Sequence, residues 1–241
     1  MIDVALLATD VRPAGTAVVI DVLRATSTIT LALASGYERV LVAGTLEAAL
    51  ALRSEERTLA GEVSCARAPG FDLGNSPEES AQPRTPELVL ATTNGAPAIV
   101  ASSAVADEVI AASLLNLDAV LAHLAGADDI LLVCAGTDGR ASIEDVYLAG
   151  RLSAGLEGPR SDAAQIAEAV AASYASSVEA LEASAGAVGL RREGLESDIA
   201  FCAQESIVAV VPRLSATLDG VAVLTPAESP APAVIAGAGL T

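Results

Sequence analysis

Lysine is absent from the 241 residues, aromatic side chains make up 2%, and there are three cysteines and one histidine. The 13 basic residues, all arginine, face 31 acidic ones, for a formal balance of −18. A chain this negative, with no basic run and few rings on which bases could stack, is not built to bind nucleic acid. An anionic membrane surface is disfavoured for the same reason. Cys65, Cys134 and Cys202 are odd in number and widely spaced, with no CxxC pair and only His123 to assist, which argues against a zinc site. Reduced thiols in a cytoplasmic protein are the expectation. The opening MIDVALLATD carries neither a basic segment nor a long apolar run, so no secretory leader is expected. Mean hydropathy is high, at +0.53. The longest uncharged stretch, 88–106, nevertheless has Thr92, Thr93, Asn94, Gly95 and Pro97 at its centre, which reads as strand, turn and helix rather than a membrane span.

What the chain does have is 52% hydrophobic residues, enough for a sizeable core of Ala, Val, Leu and Ile. Short β-branched runs alternate with longer Ala/Leu segments, the pattern of βα units around a sheet. Strands are predicted at 17–22, 39–43, 58–62, 88–92, 108–112, 130–134 and 207–211, and helices at 26–34, 46–55, 97–102, 117–124 and 143–153. The fold class is α/β, three layers α/β/α with a mostly parallel or mixed sheet. It forms one domain, or two lobes, over residues 1–224. Between 161 and 184, Ile166, Val170, Tyr174, Val178 and Leu181 recur every three or four residues, predicting a long helix laid on the sheet, with a homodimer helix as the alternative. Residues 225–241, rich in Pro, Ala and Gly, read as a flexible tail.

Four segments place polar residues directly after a predicted strand: Asp21 with Arg24, Gly61 with Glu62, Asn94 with Gly95, and Gly136 with Thr137. In a parallel sheet these ends share one edge, where ligands of open α/β sheets bind. Helix N-termini there offer free N–H groups to an anion, and Thr26, Ser27 and Thr28 add hydroxyls. The set mixes Arg24 and Arg140 with the carboxylates of Asp21, Glu62, Asp72, Glu144 and Asp145. A phosphate among carboxylates calls for a hard divalent cation, and Mg²⁺ takes one or two carboxylates plus phosphate oxygens. Asp21, Glu62 and Asp145 are the metal-ligand candidates, and Asp21, Asp72 and Glu144 the acid/base candidates. Ser76-Pro77-Glu78-Glu79 reads as a capping box, and His123 as a satisfied, half-buried histidine. Cys134, five residues and Arg140 outline a cysteine-phosphatase loop, in which the thiolate attacks phosphorus. The competing reading of Cys134 is a small buried residue closing a strand.

Taken in order, Asp21-Val-Leu-Arg-Ala-Thr-Ser-Thr28, Gly61-Glu62, Gly70-Phe-Asp-Leu-Gly-Asn-Ser-Pro77, Thr92-Thr-Asn-Gly95, Cys134-Ala-Gly-Thr-Asp-Gly139, Glu144-Asp145 and Asp198-Ile-Ala-Phe-Cys-Ala203 resemble the 2-phosphosulfolactate phosphatases. The resemblance implies a Mg²⁺-dependent α/β phosphatase that hydrolyses (2R)-phospho-3-sulfolactate to 3-sulfolactate and phosphate, a step towards coenzyme M. The small phosphate ester would be held by Arg24, Thr26, Ser27, Thr28, Asn75, Asn94, Gly95, Gly136, Thr137 and Arg140. A binder of the same ester that has lost turnover is the non-enzymatic alternative.

Overall fold

A computed structural model describes residues 1–227. Its strands are β1 (Ile2–Ala5), β2 (Ala14–Ile20), β3 (Arg39–Ala43), β4 (Arg57–Val63), β5 (Ala66–Arg67), β6 (Glu87–Ala91), β7 (Ala106–Ala112), β8 (Ile130–Cys134), β9 (Pro212–Leu218) and β10 (Val221–Pro226). The helices are α1 (Ala25–Ala34), α2 (Leu46–Ala51), α3 (Pro77–Ser80), α4 (Gly95–Ser103), α5 (Leu117–His123), α6 (Ile143–Gly155), α7 (Asp162–Ala172), α8 (Ser177–Glu182), α9 (Ala185–Arg192) and α10 (Glu196–Cys202). No helix among the described residues is long and apolar enough to cross a membrane.

All ten strands join one sheet, in the order β1-β8-β2-β7-β9-β10-β3-β6-β4-β5. Strict alternation sorts the side chains into layers. Val18 and Ile20 of β2 face the helices that follow β7 and β8, whereas Ala17 and Val19 face α1 and α4. On β3, Val40 and Val42 join that second layer, while Leu41 and Ala43 pack with Ala49 of α2. The result is a three-layer α/β/α fold.

The sheet is mixed, which revises how the strand ends meet. Strands β1, β8, β2 and β7 form one parallel block, and β3, β6 and β4 another. The hairpin β9–β10 joins them by antiparallel pairs to β7 and β3, so the two blocks run in opposite senses through it. Parallelism therefore does not bring the end of β2 to the end of β6. Twist accumulates by roughly 20–25° per neighbouring pair. Over the five steps from β2 to β6 it amounts to about 100° or more. With α4 packed across β2, β7, β10 and β3, the two ends meet.

Three other expectations change. Segment 207–211 is irregular; the strand begins at Pro212, and Asp219-Gly220, both with left-handed φ, turn the hairpin. The helix expected over 161–184 is broken into α7 and α8, because Ser161 and Ser176 each accept an N–H at a new N-terminus, and Ser184 does the same for α9. The buried face of α7 is Ala164, Ala167 and Ala171, not the larger side chains; Ile166 is 55% exposed. A Cβ on Gly150 would lie 2.1 Å from the Ala167 carbonyl oxygen, so α6 and α7 approach too closely for larger residues. Finally, Thr225 and Pro226, assigned to the tail, belong to β10. The remainder of that tail, 228–241, lies outside the described residues.

Candidate active site

Between the two blocks lies a small chamber of about 50 Å³, lined by Asp21, Arg24, Glu62, Asn75, Asn94 and Thr137 among others. An adjoining cleft of about 530 Å³ shares Glu62, Cys65, Asn94, Thr137 and Gly186 with it and adds residues of α9. Asp21 and Arg24 come from the loop between β2 and α1, Glu62 from the end of β4, Asn94 from the turn between β6 and α4, and Thr137 from the loop after β8.

Asp21 is the hinge of the arrangement. Its Oδ1 accepts the N–H of Ala25 at 3.2 Å, anchoring the start of α1. Across the chamber, a Cβ on Gly95 would lie 2.4 Å from Asp21 Oδ2 and 2.5 Å from Ala25 Cβ. Only glycine lets α4 enter so close. Glu62 ties in the far side, its two oxygens accepting the N–H groups of Thr93 and Cys65, each at 2.8 Å.

Arg24 is buried, an arrangement that requires a counter-charge. Asp198 on α10 supplies it at 2.5 Å. The other end of the guanidinium donates to the Cys65 carbonyl at 2.8 Å. Ser76 donates to Asp198 at 2.6 Å and makes no capping bond, so it is a support for this pair rather than the helix cap its sequence suggests. Asp198 opens the last motif of the resemblance, but nothing local to it names Arg24 as its partner; it lies in the first turn of α10.

Two further carboxylates lie behind the chamber, at the start of α6. Asp145 accepts from Val22 N–H at 2.9 Å and Gly136 N–H at 3.0 Å, pinning the loops after β2 and β8 together. Gly136 N–H is therefore not free for an anion. Glu144 is buried against Gly186, and its Oε2 has no hydrogen-bond partner among the described residues. Burial pushes Glu144 up to about 7, helped by the charge of Asp21 and opposed by its own N–H and by Ser184. Burial likewise lifts Asp21 to about 6, with Glu62 raising it further against the pull of Ala25 N–H, Arg24 and Gly95 N–H. Asp145 rises well above the usual carboxylate range through burial and the charges of Glu144 and Asp21.

Several candidates fall outside this arrangement. The hydroxyls of Thr26, Ser27 and Thr28 are buried and donate to the carbonyls of Asp21, Val22 and Asn75, so they build the loop and are not offered to a ligand. Asp72 lies away from the chamber, accepting Leu59 N–H at 2.9 Å and pairing with Arg53. Cys134 is fully buried, and its thiol is pushed well above its ordinary value by burial and by Asp145 and Glu144. Arg140 is exposed; Thr137 and Arg140 exchange backbone hydrogen bonds around Asp138-Gly139, closing a tight turn instead of a phosphate cradle. The structure does not assemble the cysteine-phosphatase loop.

Asp21, Glu62 and Asp145 do not form a closed metal cage. Among the described residues no group of three or more His, Cys, Asp or Glu side chains is placed to hold a metal ion. The chamber does gather hard oxygen donors: Asp21, Glu62 and Asn75, whose buried Oδ1 lacks any partner. Such a set fits an open site completed by water and ligand oxygens, the mode of Mg²⁺, rather than an all-protein cage.

Acidic groups with raised pKa values, a paired arginine and a helix start, gathered in a cleft between the blocks of an α/β sheet, define an α/β protein with a buried polar candidate site. Residues 3–217 match the model of the 2-phosphosulpholactate phosphatase family, and the chain belongs to that family. It is 42% identical over 204 residues to a probable 2-phosphosulfolactate phosphatase of Thermus thermophilus, covering 81% of this chain and 86% of that one. To proteins of the same description it is 42% identical over 228 residues in Thermotoga petrophila (93% and 98% covered) and 38% over 208 in Deinococcus radiodurans (82% and 87%).

Proposed function

We propose that this chain is a cytoplasmic, Mg²⁺-assisted phosphatase that hydrolyses (2R)-phospho-3-sulfolactate, or a closely similar phosphorylated acid, to the free hydroxy acid and phosphate. Sulfolactate so formed would serve coenzyme M synthesis. The observation that carries the reading is the chamber itself, where one charge-balanced arginine and one carboxylate of raised pKa share a space of about phosphoryl size.

Arg24 and the positive end of α4 oppose charge developing on the phosphoryl oxygens, while the N–H groups of Gly95 and Ala96 are themselves taken by Asp21 and Thr92. Asp21, lining the chamber beside Arg24, is the base that takes a proton from water as its oxygen attacks phosphorus. The ester P–O bond breaks, the leaving alkoxide takes a proton from solvent water, and Asp21 returns its own proton to solvent. Glu144, behind Gly186 with a pKa of about 7, keeps a proton part of the time and so limits repulsion around Asp21. Asp21 and Glu62, with the Asn75 carbonyl, would hold Mg²⁺, which supplies Lewis-acid polarisation of the phosphoryl group when bound. Asp145 supports this set from behind through its two N–H bonds.

The test is release of inorganic phosphate from (2R)-phospho-3-sulfolactate and other small phosphorylated acids, with Mg²⁺ and after EDTA. Release that stops with EDTA and returns with Mg²⁺ is expected. Thermal stabilisation by the ester without any phosphate release overturns the reading in favour of a binder.

A further inference from the structure

Helix α9 forms one wall of the outer cleft. Ala185, Gly186, Val188, Gly189 and Arg192 all line it, at offsets that share one helical face. Most of this face is small. A Cβ on Gly186 would lie 2.6 Å from Glu144 Oε1, and one on Gly189 3.1 Å from Cys65 Sγ, so the helix backbone sits directly on the cleft floor. A ligand extending out of the chamber therefore runs along backbone and methyl groups until it reaches Arg192.

Among the described residues, Arg192 is the one cationic side chain lining this cleft; the other charged residues lining it are Glu62, Asp138 and Glu193. Its neighbour Arg191 is held by Glu182 on α8, whereas Arg192 makes no ion pair among the described residues. The interval from Gly186, which borders the chamber, to Arg192 is six residues, or about 9 Å along the axis at 1.5 Å each. The flexible arginine side chain can span part of that distance back towards the chamber.

Resting on the phosphatase reading above, we infer that Arg192 is a specificity-determining residue, capturing a second anionic group, carboxylate or sulfonate, on the leaving part of the ester. Without Arg192, a multiply charged ester would meet only carboxylates on the charged lining of the cleft in a protein of net charge −18. The phosphoryl end is served separately by Arg24, so the two arginines read opposite ends of one small molecule.

The experiment compares kcat and KM of wild type, Arg192→Gln and Arg192→Lys on (2R)-phospho-3-sulfolactate and on p-nitrophenyl phosphate, which lacks a second anion. Arg192→Gln is expected to lower the ratio of kcat/KM between the two by about tenfold, through KM, as loss of one charge-assisted contact does. Arg192→Lys should recover most of it. An unchanged ratio overturns the inference. Should wild type release phosphate from neither ester, the phosphatase reading fails separately. The inference is then decided by thermal shift with 3-sulfolactate, which supports it if present in wild type and lost in Arg192→Gln, and overturns it otherwise.

Discussion

Arg24 and Asp198 stand 174 positions apart in the chain and 2.5 Å apart in the fold. Both are buried, and Ser76 fixes the second oxygen of the pair. Replacing Asp198 with Ala strands a guanidinium charge in the interior, an arrangement that costs about 3–5 kcal/mol. Denaturant unfolding should show that loss for Asp198→Ala and a smaller one for Asp198→Asn, which retains a hydrogen-bond acceptor. Equal stability of wild type and Asp198→Ala would show that the pair does not hold Arg24 in solution.

Gly95→Ala places a methyl where Asp21 Oδ2 and Ala25 Cβ already stand. Because Ala25 belongs to a packed helix, the strain cannot be relieved by a single rotamer. The expected cost is about 1–3 kcal/mol, measured calorimetrically, together with a fall in kcat as Asp21 is displaced.

Acidity should affect this site against the usual trend. Asp21 and Glu144 titrate near 6 and 7 when folded, against ordinary values of 3.8 and 4.5. The native state therefore binds more protons than the unfolded chain in the intervening range, and the contribution of these groups to stability declines as pH rises from about 4 to about 7. Glu87 and Glu168, whose pKa values are lowered by arginine partners and hydrogen bonds despite the opposing effect of burial, act in the opposite sense at lower pH. The difference between variants isolates the effect. In EDTA, Tm of Glu144→Gln should fall less than that of wild type between pH 5 and 7; parallel curves would contradict the shift.

Cys134→Ala should retain turnover, since the buried thiol is held in its protonated form and Arg140 is an exposed turn residue. Phosphate release abolished in Cys134→Ala, with the variant shown to be folded by circular dichroism, would restore the covalent route.

Local pattern made much of this molecule legible. Strands β3 and β8 fall where β-branched runs place them, and Asp21, Glu62 and Asn94 do reach one chamber. They do not meet along a common parallel edge: the blocks run in opposite senses, and α4 packs across both. The hairpin had a readable mark in Asp219-Gly220, outweighed by the apolar run just before it. Asp198 and Ser76 fall within motifs of the resemblance, yet their support of Arg24 is not readable locally, because each takes its meaning from an element distant in sequence. Thr26, Ser27 and Thr28 fail in the converse way. Hydroxyls at a helix start can serve an anion or their own backbone, and only burial decides which.

The antiparallel hairpin sits at the middle of the sheet although its strands are made after all the others. A nascent polypeptide emerging from the ribosome up to residue 211 thus has β7 and β3 each with an unsatisfied flank and no partner between them. Until 212–226 arrive, neither half can close on the other, and both expose edges open to wrong pairing. The chamber, drawing residues from both blocks, therefore depends on the hairpin that joins them.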